Sequence, residues 1–260
     1  MCTVTVLNLS HAARPFPRLR MLVNRDESRR RPEARGPEIR DASGVAVLMP
    51  VDPQSDGTWV AVNAYGVMFT LLNYNPTPYD RGFPRGERSR GEIIPMLADA
   101  CDVSAALPRA KAIKAAEYAP FRLAIFDHAS FLIAIGERGE TRVTTGPLAP
   151  TTLLASSGLG DALVEAPRGL LFDETFQADD CEPSKLIAAQ DAYHRHTWPD
   201  REHLSVWMSR AEAWTTGLTV VESQTDVVRL AYASRADVER GSPLRELTIP
   251  RQSANCATGR

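Results

Sequence analysis

No apolar stretch in this sequence approaches the roughly 20 residues that a bilayer-spanning helix requires, and the N-terminus lacks a basic segment followed by a long apolar one. Membrane insertion is therefore not expected, and a cytoplasmic location is. Positive charge is not in excess either: 30 Lys and Arg stand against 32 Asp and Glu, a formal charge of -2 with a pI near 6.2. Such a chain has no global field to hold nucleic acid. Cysteine is sparse, at positions 2, 101, 181 and 256, without a CxxC pair and without a histidine at ligand spacing. Neither a disulfide framework nor a zinc site is expected, and nothing points to a metal or another cofactor. His194 and His196, with His203 further on, read as surface or capping residues, because an i, i+2 pair faces opposite sides of a helix. No internal repeat and no low-complexity segment is visible.

What is present is ordinary globular material. Hydrophobic residues make up 43% of the 260 and charged residues 24%, enough to bury a sizeable core in one domain spanning 1–260. Apolar runs of strand length occupy Cys2 to Leu9, Arg18 to Val23, Val45 to Met49, Thr58 to Asn63 and Val67 to Leu72. Their connections are too short for parallel crossovers, so the sheet is expected to be antiparallel. Helical spacing takes over at Ile93 to Ala98 and at Ala105 to Ala116. Strand character returns at Phe121 to Phe126, Phe131 to Ile135 and Thr151 to Ala155, followed by a helix at Ser184 to His194. Further strands are expected at Leu204 to Met208, Leu218 to Val221 and Val227 to Tyr232, with a loosely ordered tail from about Arg245. The order predicts an α+β chain: two antiparallel sheets packed face to face, helices outside.

The most reactive feature is Cys2, directly after Met1. Removal of Met1 leaves a thiol and a free α-amine on one residue. An α-amine with a pKa of about 7.7 to 8.0 is partly neutral near pH 7 and can take the thiol proton. Nucleophile and base then share a residue, as in N-terminal threonine enzymes. The plain structural reading is a small buried hydrophobe at a strand start. Likewise, Asn24-Arg25-Asp26-Glu27 reads by itself as a turn with solvated charges, and Trp59 as core.

Taken together, Met1-Cys2, Asn24-Arg25-Asp26-Glu27, Gly57-Thr58-Trp59, Leu72-Asn73-Tyr74 and Ser89-Arg90-Gly91-Glu92 resemble the NRDE family, which includes the transport and Golgi organisation protein 2 homologues. Ser156-Ser157-Gly158-Leu159-Gly160-Asp161 with Pro167-Arg168 looks like a bacterial branch of that family. The resemblance implies an N-terminal nucleophile hydrolase-like fold, a four-layer αββα sandwich. It also implies roles. Cys2 is the nucleophile, Arg25 holds the thiolate, Asp26 orients the new α-amine, and Asn73 is the candidate oxyanion donor. Asn24, Glu27, Ser157 and Arg210 are candidates on the substrate side. Two departures from the related cysteine acylases stand out. Arg25 and Asp26 are adjacent, so in an extended segment their side chains point apart, and a second asparagine donor is missing where Ser156 and Ser157 stand.

The function expected from these residues is cleavage of a non-peptide amide bond in a small acylated molecule, through a Cys2 thioester. The alternative is a non-catalytic haem or lipid carrier using the same pocket. Arg29-Arg30-Arg31 with Arg35, and Arg81, Arg85, Arg88 and Arg90, read as solvated loops; if both groups flank the site, they favour a substrate bearing a carboxylate or phosphate. Substrate identity and oligomeric state are not legible in the sequence.

Overall fold

The computed structural model describes residues 2–76, 84–176 and 182–253, which leaves Met1, Arg81, Cys181 and Cys256 outside. The alternation Cys2-Thr3-Val4-Thr5-Val6-Leu7 forms β1 (Cys2–Asn8), which pairs with β2 (Leu19–Ser28). A meander follows in β3 (Arg35–Ala42), β4 (Val45–Val51), β5 (Val60–Asn63) and β6 (Met68–Asn73). After helix α1 (Val103–Lys111) it continues through β7 (Phe121–Phe126), β8 (Ser130–Glu137) and β9 (Glu140–Pro147). Strand β10 (Thr151–Ala155) returns to β1 and leads into helices α2 (Asp161–Phe176) and α3 (Pro183–His194). The chain ends in β11 (Ala213–Ser223), β12 (Val227–Ser234), the short helix α4 (Arg235–Arg240) and β13 (Arg245–Pro250).

The strands form two antiparallel sheets, one ordered β10-β1-β2-β11-β12-β13 and the other β3 through β9 in sequence. Period-2 alternation assigns their faces. Cys2, Val4 and Val6 of β1 and Met21 and Val23 of β2 meet Leu48, Val60, Val62 and Phe126 of the other sheet in one buried cluster between the sheets. A second cluster covers the far side of the β3–β9 sheet, where Phe69, Leu123 and Ile125 pack under Ile93, Leu97, Ala106 and Ala110. On the far side of the other sheet, Phe172 of α2 and Tyr193 of α3 pack with Val206. Burying a Leu, Phe or Val side chain contributes about 1.5–3 kcal/mol, so these faces hold the layers together. The result is the expected α+β sandwich.

Several local expectations are corrected. Ile93 to Ala98 makes tight turns with i to i+3 bonds, Leu97 N–H to Ile94 O and Ala100 N–H to Leu97 O, because Pro95 removes a helical donor. Leu204 to Met208 is not a strand. Its carbonyls are claimed by side chains instead of a ladder: Arg168 donates to Leu204 O and Ser205 O, and Asn24 to Val206 O. The tail is ordered past Arg245, since β13 pairs with β12 from Tyr232–Arg245 to Val227–Pro250. Helix α2 was not expected, because Pro167 and Gly169 interrupt its pattern. His194 is not a surface residue: it is fully buried, bonded to Thr5 Oγ1 at 2.7 Å and Asn24 Oδ1 at 3.0 Å, and burial holds its pKa well below the usual value. Cys101 is disulfide-bonded, a cross-link that wide cysteine spacing does not signal and that is commoner in oxidising compartments. Among the described residues no helix is long and apolar enough to cross a membrane.

Candidate active site

The register of β1 on β2 sets Cys2 opposite Arg25, so both side chains face the space between the sheets. Cys2 is 3% exposed and lies at the wall of a cavity of about 550 Å³ shared with Arg25, Glu27, Asp52, Trp59 and Asn73. Burial pushes its thiol pKa up, against the charge of Arg25 and a hydrogen bond from the Asp26 backbone N–H, which both favour the thiolate. A raised thiol is not ionised spontaneously near neutral pH; it needs a local base.

Arg25 is fixed from the opposite sheet. Its Nη2 donates to Asp52 Oδ2 and its guanidinium stacks 4.2 Å above the Trp59 ring. Asp52 also accepts from Arg31 Nε at 2.9 Å and from the backbone of Gln54 and Ser55 at 2.9 and 3.2 Å. Burial raises the Asp52 pKa, but the Arg31 hydrogen bond and the Arg25 and Arg31 charges outweigh it and hold the carboxyl low.

Asp26 points the other way, as strand alternation requires. Its carboxylate accepts from Thr215 Oγ1 at 2.6 Å and lies 3.7 Å from Arg168 Nη1, on the helix-covered side of the sheet. Burial raises its pKa against the Arg168 charge and the Thr215 bond. Arg168 is 1% exposed and also donates to Thr3 Oγ1 at 2.6 Å. A bulge between Thr215 and Gly217 in β11 lies opposite this dipeptide, where it re-aims the local chain. The adjacent Arg25 and Asp26 thus serve opposite faces: a side-chain charge toward the cavity, and a backbone N–H toward Cys2 from a residue anchored outside.

The backbone nitrogen of Cys2 donates to Ser156 Oγ at 3.1 Å, and Ser156 N–H returns a bond to Cys2 O at 2.9 Å. Ser156 follows β10 and is held by a clamp between the two sheets. Asp161 accepts from Ser157 N–H and Asn75 N–H, each at 2.9 Å, while Asn75 Nδ2 donates to Ser157 O at 2.7 Å. The clamp ties the turn carrying Ser156 to the segment after Asn73. A second pair of loops crosses nearby. A Cβ on Gly57 would fall 2.6 Å from the Gly91 carbonyl carbon, and Thr58 N–H donates to Gly91 O at 3.0 Å. Only glycine admits that approach, which sets Trp59 and Arg90 along the same cavity. Arg90 donates to Pro120 O at 2.9 Å, and burial pushes its pKa down to about 10.

Of the residues expected from sequence, Cys2, Arg25, Asp26, Glu27 and Asn73 line one cavity, whereas Asn24, Ser157 and Arg210 are not in its walls. Asn24 is fully buried and anchors the helix layer through His194 O and Val206 O. The hydroxyl of Ser157 accepts from Leu159 N–H within its own turn. Arg210 lies toward Asp26 and pairs with Glu212 at 2.8 Å. Glu27 accepts from Ser28 N–H; burial opposes ionisation, but that bond and the Arg25 and Arg31 charges keep its pKa low. Asp52 and Arg168 are the residues sequence reasoning missed. Trp59 is core and cavity wall at once.

The family model described as Transport and Golgi organisation 2 matches residues 1–180. No curated protein matches the sequence. Among solved structures, the chain is similar to a mutant conjugated bile acid hydrolase from Clostridium perfringens, with 11% identity and a TM-score of 0.53 over 96% of this chain and 92% of that one. It is also similar to the Caenorhabditis elegans ortholog of N-acylethanolamine-hydrolyzing acid amidase, at 10% identity and TM-score 0.53, covering 85% and 92%. At these identities the likeness is one of fold, and that fold is N-terminal nucleophile hydrolase-like.

Proposed function

The chain belongs to the Transport and Golgi organisation 2 family, and from that membership and the surroundings of Cys2 we propose that it hydrolyses a non-peptide amide bond in a small acylated molecule. One observation carries this reading. Cys2, the residue that follows Met1, lines a polar cavity, and its nitrogen is hydrogen-bonded to Ser156 Oγ at 3.1 Å. Two structural neighbours bear amide-cleaving names: one hydrolyses conjugated bile acids and the other, an acid amidase, hydrolyses N-acylethanolamines.

In the mechanism, removal of Met1 converts the Cys2 amide nitrogen into an amine. Neutral amine takes the thiol proton, and Sγ attacks the substrate carbonyl carbon. Asn73 donates to the resulting oxyanion, a contribution commonly worth about 3 kcal/mol of barrier. Collapse of the intermediate breaks the C–N bond, and the protonated α-amine passes its proton to the departing nitrogen. Water then hydrolyses the Cys2 thioester and restores the thiol. Arg25 stabilises the thiolate, and Ser156 orients the amine, a role the sequence reading gave to Asp26. Asp26 contributes its backbone N–H and remains a candidate partner for the amine charge.

The charged walls of the cavity support this reading over a haem or lipid carrier, which calls for an apolar one. The test is acyl-enzyme trapping: a panel of N-acyl amides is turned over, and rapid acid quench followed by peptide mass spectrometry locates the acyl group. An acyl adduct on Cys2 that disappears in Cys2→Ala together with turnover supports the proposal. Turnover that survives in Cys2→Ala refutes it.

A further inference from the structure

A carboxylate at the start of a helix ordinarily accepts from the N–H groups of its own first turn. Asp161, 2% exposed at the start of α2, instead accepts from Ser157 N–H and Asn75 N–H, each at 2.9 Å. Its own N–H donates to Asn75 O at 2.7 Å, and Asn75 Nδ2 donates to Ser157 O at 2.7 Å. One side chain thereby stitches together two segments 82 residues apart in sequence.

Each segment carries a group that the reaction uses. Ser156, fully buried beside Ser157, accepts from the Cys2 nitrogen at 3.1 Å. Asn73, two residues before Asn75, ends β6 of the other sheet. Apolar packing between the sheets is non-directional, whereas a misplacement of about 1 Å can slow an enzyme about a hundredfold. Hydrogen bonds fix what packing leaves free. Arg122 of β7 braces the same junction: its guanidinium lies 3.7 Å from Asp161 Oδ2, donates to Ala155 O at 3.4 Å and sits 5.5 Å over the Tyr74 ring. A carboxylate suits this place because it offers acceptor sites to both N–H groups at once, whereas an amide turns its own NH2 toward one of them. Burial raises the Asp161 pKa, and the two N–H bonds with the Arg122 charge work against that to favour the ionised form.

We propose that Asp161 is a positioning residue of the hydrolase: through Asn75 and Ser157 it holds Asn73 and Ser156 in one fixed relation to Cys2, so that the oxyanion donor and the oriented amine serve the same bound carbonyl. The inference rests on the hydrolase reading and adds to it the residue that makes one site from two sheets. Asp161, Asn75 and Ser157 are not among the residues lining the cavity. Loosening the clamp therefore weakens the transition state and not substrate binding.

The test uses the full-length chain with Met1 removed and 4-nitrophenyl acetate as acyl donor. The burst of 4-nitrophenolate gives the acylation rate constant and the half-saturating concentration, and peptide mass spectrometry locates the acetyl group. Asp161→Asn should slow acylation about tenfold to a hundredfold while the half-saturating concentration changes by less than about threefold. The acid limb of its pH–rate profile should move to lower pH, as in Ser156→Ala, because the amine loses its oriented acceptor. In a chain already carrying Ser156→Ala, Asp161→Asn should slow acylation further through Asn73 without moving that limb again. A residue that only supports the fold moves neither. Asn75→Ala leaves Asp161 in place and removes the Nδ2 bond to Ser157 O; it should slow acylation severalfold, and it decides the matter if Asp161→Asn does not fold. Glu165→Gln, on the same helix and bonded to Arg122 at the surface, is the control and should acylate as the wild type does. If wild-type Cys2 is acetylated and the clamp variants that fold stay within about twofold of it, or leave the acid limb unmoved, the positioning role alone is overturned and the hydrolase reading stands. Wild-type Cys2 that takes no acetyl group overturns both.

Discussion

Replacing Asp52 by Asn is the sharpest probe of how the two sheets hold the site. Asp52 opens the turn after β4 of the sheet opposite Cys2, is 5% exposed in its side chain, and accepts from two arginines and two backbone N–H groups. The amide keeps the shape but loses the charge that Arg25, itself 7% exposed, is bound to. Breaking a buried ion pair from one side costs about 3–5 kcal/mol; Asp52 borders a water-accessible cavity and Arg31 is 27% exposed, so the lower end, about 3 kcal/mol, is expected. Urea unfolding at pH 7 measures it.

The pH dependence supplies an independent check. The folded-state pKa of Asp52 is depressed, so its contribution is fully present above the unfolded value of about 4 and is lost as pH falls through the lower folded value. The stability gap between wild type and Asp52→Asn should therefore stay flat from pH 7 to about 5 and close below about pH 4. Iodoacetamide alkylation of Cys2 should slow in the variant, because a released Arg25 holds the thiolate less well. A stability loss below about 1 kcal/mol, or a gap that widens on acidification, refutes the reasoning.

Ser156→Ala removes the acceptor of the Cys2 nitrogen, and one hydrogen bond to a charged group is worth about 1.5–3 kcal/mol; the rate of Cys2 acylation should fall at least about tenfold, measured by stopped-flow or quench. Because that acceptor favours the ammonium form, the acid limb of the pH–rate profile should also move to lower pH. Arg168→Met leaves Asp26 buried without its cation and should lower stability by about 3–5 kcal/mol in thermal or urea unfolding. His194, buried and neutral with a pKa held well below 6.5, resists protonation in the folded state. Stability should therefore decline as pH drops below about 6.5, by up to about 1.4 kcal/mol per pH unit, and His194→Gln should flatten that decline. A chain with one residue inserted between Met1 and Cys2 should fold normally by circular dichroism and lose amide hydrolysis entirely.

Strands rich in Val and Leu were legible because alternation and burial coincide: β1, β6 and β7 follow the apolar runs within a few residues, whereas β2 continues past Val23 through Asn24-Arg25-Asp26-Glu27 to Ser28, so that tetrad is strand, buried from Asn24 to Asp26, and not a solvated turn. Edge strands β3 and β9 were missed, since Arg35, Glu38, Arg40 and Asp41 in one and Glu140, Thr141 and Arg142 in the other replace the apolar alternation with charges and polar groups that protect a sheet edge. The nucleophile candidate and the Arg25-Asp26 dipeptide were readable from their position and order. The expectation that adjacent side chains point apart is realised, one toward Asp52 and one toward Arg168. Asp52 sits in Asp52-Pro53-Gln54-Ser55-Asp56-Gly57, which reads as any turn, and Arg168 lies beside Pro167 where no helix was expected. Both matter through contacts with residues distant in sequence, which local pattern does not encode. Ser156 and Ser157 were singled out together; only register with β1 reveals that the first of the pair meets Cys2.

The most direct test of the account is the intact mass of the active protein before and after exposure to an N-acyl amide substrate. The expected result is a chain lacking Met1 that gains one acyl group, with the added mass on the N-terminal Cys2 peptide and absent from Cys2→Ala. An active chain that retains Met1 contradicts it.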